Sequence, residues 1–273
     1  MIRAELTFDV VDDLIGAYSR DRLGVPKQAF APARLGPLLE LALQSNGQRV
    51  GPLLQSAWLD RTTQIEFRRA LAGPNNEWFG PDKQVGFLRT VYDPSNEAHD
   101  VARTGFLLAA RQAAERVGFS VGVSQGLAAA IREMESNIHE HSQLAETGIL
   151  GFQTDGTAFE FVIADCGVGV LATLQESPDM SDLRDHGRAL YLALQEGTSR
   201  YGQKANRGMG FRDLFLGLAS LNGDLRFRSG DHALTISGPH PDMKVAHLAQ
   251  KPFYQGFLAS VRCEPLRAAR MLH

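Results

Sequence analysis

The chain has 273 residues, 44 % of them hydrophobic and 22 % charged, with a formal net charge of −3. That length carries one large or two modest domains, and the composition excludes an intrinsically disordered chain. The slight acidic balance argues against a general nucleic-acid binder, which carries a basic surplus. Two cysteines, Cys166 and Cys263, make neither a disulfide framework nor a metal-ligand spacing, and they point to a reducing, cytoplasmic compartment. The N-terminus, MIRAELTFDVVDDL, has acids where a signal peptide is apolar. No apolar run approaches the ~18 residues that span a bilayer, so a soluble protein without a membrane partner is expected.

In chain order, the first part is punctuated by Gly36-Pro37, Gly51-Pro52, Gly73-Pro74 and Gly80-Pro81. Helical spacing fits 35–43 and 62–71, and a strand fits 84–91. Residues 1–95 read as a smaller mixed or α-rich module without a motif, with Trp58 and Trp78 as core residues. Asp93-Pro94-Ser95-Asn96 marks a boundary. A helix over 99–117 follows, with apolar Val101, Phe106, Leu107, Ala110 and Ala114 at helical spacing and Gly118 as its stop. A second helix over 124–142 has Ser124 as its candidate cap. Strands over 149–154 and 158–164 are joined by Asp155-Gly156, and 166–170 is a glycine loop. The stretch 171–207 is long and polar, with a helical pattern at 188–195. A helix opens after Gly210 and runs to about 221. A turn at Asn222-Gly223 precedes strands at 225–228, 233–237 and 257–261, and 266–273 is a tail. Helices and strands mix without regular alternation. This favours an α+β two-layer sandwich over 96–265, with helices on one face of a mixed sheet.

Three short patterns carry chemistry. On the second helix, Glu133, Asn137 and His141 follow at i, i+4, i+8 and line one edge. The asparagine offers a hard oxygen to a magnesium ion, which takes few protein ligands besides phosphates and waters. The glutamate is placed to accept a proton. A solvated polar face is the plain alternative. Next, Asp165-Cys-Gly167-Val-Gly169 ends the apolar strand. Its carboxylate can accept a hydrogen bond from an exocyclic amine, and its glycines let backbone approach a ring or phosphate. Last, Arg207-Gly208-Met209-Gly210-Phe211 opens a helix, whose free N–H groups suit an anion. Neither a dinucleotide fingerprint nor a Walker loop is present. His139 and Cys166 read as incidental neighbours.

The order of these patterns resembles the ATP-binding domain of the GHKL superfamily, shared by gyrase, the ninety-kilodalton chaperone, sensor histidine kinases and MutL. The resemblance implies the Bergerat-type fold with ATP and Mg2+ as cofactors. It implies that Asn137 is the magnesium ligand and that Asp165 reads adenine. Gly167 and Gly169 floor the pocket, and Arg207, Gly208, Met209, Gly210 and Phe211 form the second glycine box. It further implies that 171–207 is the ATP lid, with Arg200, Lys204 and Arg207 within reach of phosphate. No phosphoacceptor histidine context and no transducer domain accompany the motifs. The layout is closest to the anti-sigma-factor serine kinases, where Glu133 activates a serine or threonine hydroxyl of a partner protein. The expected function is an Mg-dependent serine/threonine kinase or ATPase acting with a protein partner. The alternative is a non-catalytic module whose lid is ordered by ATP. A second copy of the chain is a further candidate partner.

Overall fold

The computed structural model describes residues 4–19, 30–31, 34–44, 61–91, 95–195, 218 and 221–265. Strand β1 (Ala4–Glu5) leads into helix α1 (Phe8–Ser19). Strand β2 (Phe30–Ala31) pairs parallel with β1, and helices α2 (Leu35–Gln44) and α3 (Arg61–Ala72) follow. Next come β3 (Glu77–Phe79) and β4 (Val85–Arg89), the long helices α4 (Glu97–Arg116) and α5 (Val121–His141), and strands β5 (Ile149–Thr154) and β6 (Phe159–Asp165). Helices α6 (Gly169–Gln175) and α7 (His186–Gln195) precede two long strands, β7 (Leu221–Pro239) and β8 (His247–Pro265).

Six strands form one sheet in the order β3-β4-β5-β6-β8-β7, and every neighbouring pair is antiparallel. The expected mixed sheet is corrected in this respect. The strands come as three consecutive hairpins laid side by side, and short connections can join only antiparallel neighbours. Strands β3 and β4 lie before residue 92, yet Leu88 of β4 pairs with Leu150 of β5. The sheet therefore runs continuously past the boundary read at residue 95.

Alternation along the strands builds two faces. Phe159, Phe161 and Ile163 of β6, Leu225 and Phe227 of β7, and Ala259 and Val261 of β8 share one core with Phe106, Leu127, Ile131, Met134 and Ile138 of α4 and α5. Val162, Ala164 and Leu258 point the other way and meet Val11 and Leu14 of α1, Leu38 and Leu39 of α2, and Phe67 of α3. The N-terminal helices thus add a layer on the second face. Trp78 packs partly buried against that layer, 5.3 Å from the Phe67 ring; Trp58 lies outside the described residues.

The second face is also polar. Glu40 of α2, fully buried, accepts from Arg226 Nε and Arg228 Nε, each at 3.0 Å. Arg226 also donates to Asp12 of α1 at 2.6 Å, and Lys251 stands 2.8 Å from the same carboxylate. Glu160 of β6 accepts from the Leu35 and Gly36 N–H groups at 2.8 and 3.1 Å. A carboxylate from the sheet thereby satisfies the open N–H groups at the start of α2 and complements its dipole. Gly36 is required there, because a β-carbon would collide with Ser260.

Several local expectations are corrected. The cap of α5 is Ser120, whose side chain accepts from Val123 N–H; Ser124 is buried inside the helix and donates back to Ser120 O at 2.9 Å. Asn222-Gly223 does not turn the chain but pairs with Glu264 and Cys263 in the β7–β8 ladder. Pro241 lies against Gly223, so the glycine serves close approach instead. The strands read at 225–228 and 233–237 are one strand with an irregularity between Ser229 and His232, where Gly230 takes φ +59°. The described part of 171–207 is largely helical. Leu190 and Leu194 of α7 are buried in the first core, so this half of the stretch belongs to the packed body.

Candidate functional site

The apolar stripe of α5 sits between two polar flanks. Leu127, Ala130, Ile131, Met134 and Ile138 are buried against the sheet. On one flank Glu133 and Asn137 are half-buried, and His141 is exposed. Among the described residues, neither Glu133 nor Asn137 makes a side-chain hydrogen bond or ion pair. A carboxylate and a carboxamide held in line, part-desolvated and unpaired, remain open to a ligand.

The end of β6 meets the end of this helix. After Asp165 the chain doubles back, and Val168 N–H donates to Ser142 O at 2.9 Å. Gly167 is needed there, because a β-carbon would run into the Ser142 backbone. Gly169 opens α6 at φ +78°, Val170 N–H donates to Ser229 Oγ at 3.0 Å, and Ser229 Oγ donates to Gly256 O at 2.8 Å. On the far side of α5's end, Thr173 Oγ1 donates to His141 O at 3.3 Å. Ser142 lies five residues beyond Asn137, about 7.5 Å along the axis at 1.5 Å per residue. The loop after β6 is therefore anchored on the C-terminal end of α5, between one and two turns beyond Asn137.

Asp165 is 4 % exposed, and its Oδ1 accepts the Gly167 N–H at 2.8 Å. Burial pushes its carboxyl up to about 6, against the opposing pull of the Gly167 and Phe257 N–H groups. At neutral pH it is an ionised acceptor in a low-dielectric site, and its cost to folding exceeds what these two N–H groups return. Cys166 beside it is also pushed up, by burial and then by the Asp165 charge. Arg200, Lys204, Arg207, Gly208, Met209, Gly210 and Phe211 lie outside the described residues, as does most of the helix read after Gly210.

The other flank of α5 holds a cluster that the sequence reading passed over. Glu135 and His139 are each two residues beyond Glu133 and Asn137, so they are rotated by about 200° and face α4. Glu135 is 1 % exposed and pairs with His99 Nε2 at 2.9 Å. Asn96 caps α4 by accepting His99 N–H, which fixes the first turn and leaves the imidazole facing inward. Ligand atoms of His99, Glu135 and His139 all lie within 4.8 Å of one another. Burial holds His139 below the usual imidazole range; Glu135 opposes this, while His99 and Arg103 reinforce it. His139 thus stands in a polar cluster on the flank away from Glu133 and Asn137. The available signal was the i, i+4 spacing of Glu135 and His139; the third member, on another helix, had none.

No family model, curated protein or solved structure matches this chain. The fold and the site thus define an α+β protein with a six-stranded antiparallel sheet. Among the described residues, no helix is long and apolar enough to cross a membrane.

Proposed function

We propose that the chain binds ATP with magnesium at the end of β6 and α5, as a GHKL-type unit over residues 96–265, and acts as a kinase or ATPase on or with a protein partner. The observation that carries the reading is Asp165, a buried carboxylate at a strand end whose loop is folded by glycines onto the helix bearing unpaired Glu133 and Asn137. The two-layer part of the fold is then the first core, with α4 and α5 on one face of the sheet. Asp165 accepts the exocyclic amine of the base. Gly167, pressed against the Ser142 backbone, keeps the loop low beside the base. Asn137 turns its carboxamide oxygen to the metal. Magnesium supplies charge neutralisation across the phosphates when bound. Glu133 takes a proton from the attacking water or hydroxyl. The five described positions suit a nucleotide: Asp165 as one acceptor for the base, Glu133 and Asn137 as two hard oxygens, and Gly167 and Gly169 at the close approaches.

Calorimetric titration with Mg–ATP tests this, with three proteins side by side. The wild type should bind. Asp165→Asn should weaken binding by about 10-fold or more, the value of one hydrogen bond to a charged group. Glu133→Ala should bind normally and lose phosphate release. No heat in the wild type, or unchanged heat in Asp165→Asn, defeats the reading. Normal turnover in Glu133→Ala defeats the role of that residue. Tight binding without turnover in the wild type would favour an ATP-gated docking module.

A further inference from the structure

We infer that His99, Glu135 and His139 form a binding site for a divalent first-row transition ion of the zinc class, which clamps the first turn of α4 to the last turns of α5. Three features carry it. First, the donor set is two imidazoles and one carboxylate, which suits zinc rather than the all-oxygen preference of magnesium or calcium. Second, the atoms are close to placed: tetrahedral bonds of about 2.0–2.2 Å put ligand atoms roughly 3.4 Å apart, and here all lie within 4.8 Å. Rotamer adjustments of about 1 Å close the set, within the freedom of side chains on two packed helices. Third, the cluster is under-satisfied as it stands. Glu135, 1 % exposed, leaves Oε2 without a hydrogen bond, and both ring nitrogens of His139 are buried without one, among the described residues. Buried polar groups in folded proteins are nearly always partnered, and an ion between the three meets His139 and the free oxygen together.

The neighbours fit the assignment. Arg103 stands 3.9 Å from Glu135 Oε2 and is already engaged by Asp100, so its charge weakens the affinity without filling the site. Three protein ligands leave a fourth position for a water, beside His139, the least buried of the three residues. The site lies on the flank of α5 opposite Glu133 and Asn137, so it does not depend on the nucleotide reading.

The test uses the full chain, stripped with a chelator and titrated with Zn2+ and with Co2+, without nucleotide. The wild type should take up one equivalent of Zn2+ and give Co2+ visible bands of four- or five-coordinate strength. Glu135→Gln and His139→Ala should each weaken Zn2+ by at least about 100-fold, beyond the loss of a supporting contact alone. His247→Ala, at an exposed position, should bind like the wild type. Zn2+ should raise the thermal midpoint of the wild type and leave that of His139→Ala unchanged. Undiminished uptake by His139→Ala overturns the site in favour of surface histidines. Should the variants fail to fold, the wild type decides alone: no uptake, or only the weak bands of six-coordinate Co2+, overturns it.

Discussion

The two faces of the sheet solve one problem with different chemistry. The first buries aromatic rings, with Phe106 and Phe152 5.3 Å apart, under helices whose apolar stripes are plain in the sequence. The second buries charge: Arg226, Arg228, Glu40, Asp12 and Glu160 sit among leucines under α1 and α2. Hydrophobic packing is non-directional and tolerates many partners. A buried ion network tolerates few, because each charge needs its counter-charge in place. The second face therefore specifies how the N-terminal helices dock, while the first supplies most of the core. The same contrast recurs on α5, where an apolar stripe separates an open edge from a buried polar cluster.

The largest expected effects probe that contrast directly. Phe152→Ala should destabilise by about 3–5 kcal/mol through cavity formation. Glu40→Ala should cost a similar ~3–5 kcal/mol, by leaving Arg226 and Arg228 buried with the one carboxylate of Asp12 between them. Replacing Glu40, Arg226 and Arg228 together with Met or Leu should recover most of the Glu40→Ala loss in urea unfolding. A triple variant as unstable as Glu40→Ala would mean that this face is held by charge alone.

A smaller effect of opposite sign is expected at Asp165. Its folded-state carboxyl lies near 6 against an ordinary 3.8, so between those values the folded state holds more protons than the unfolded one. Stability from this group therefore falls as pH rises through that window. The penalty is fully present above about 6 and absent below about 4. That difference corresponds to about 3 kcal/mol as an upper bound. Asp165→Asn should raise stability at pH 7.5 by up to that amount and flatten the profile between pH 4 and 6. An Asn variant less stable than wild type at pH 7.5 would show that Asp165 is well solvated or paired after all. The smallest effect is Glu160→Gln, which keeps the shape but removes the charge at the start of α2. A loss of about 1–2 kcal/mol in thermal unfolding is expected, and a gain would contradict the capping role.

Much of the first face was legible. Helix spacing placed α4 and α5 to within a few residues, and strong runs such as Phe159–Asp165 announced themselves. The cap of α5 was misplaced because Ser120 and Ser124 offer the same hydroxyl, and only backbone conformation distinguishes them. The second face was hidden by its own alternation. Glu160, Arg226 and Arg228 alternate with apolar residues, the same pattern as the solvent side of a half-buried strand in a two-layer sandwich. Of the candidate site, Glu133 and Asn137 were legible because they share one helix edge, and Asp165 because it ends a strand.

The sequence by itself determined the elements with strong periodicity, the glycines at close approaches, and the chemical types available at the end of β6. Local forces decide these, since capping, turn geometry and amphipathic spacing act over a few residues. Only the tertiary structure decided that Glu40 would answer Arg226 and Arg228 from 186 and 188 residues away, and that Glu160 would cap a helix 125 residues earlier. It alone brought His99 from α4 to Glu135 and His139 on α5. These pairings join groups with no spacing relation along the chain, so no local pattern encodes them; the packing of helices onto both faces of one sheet does.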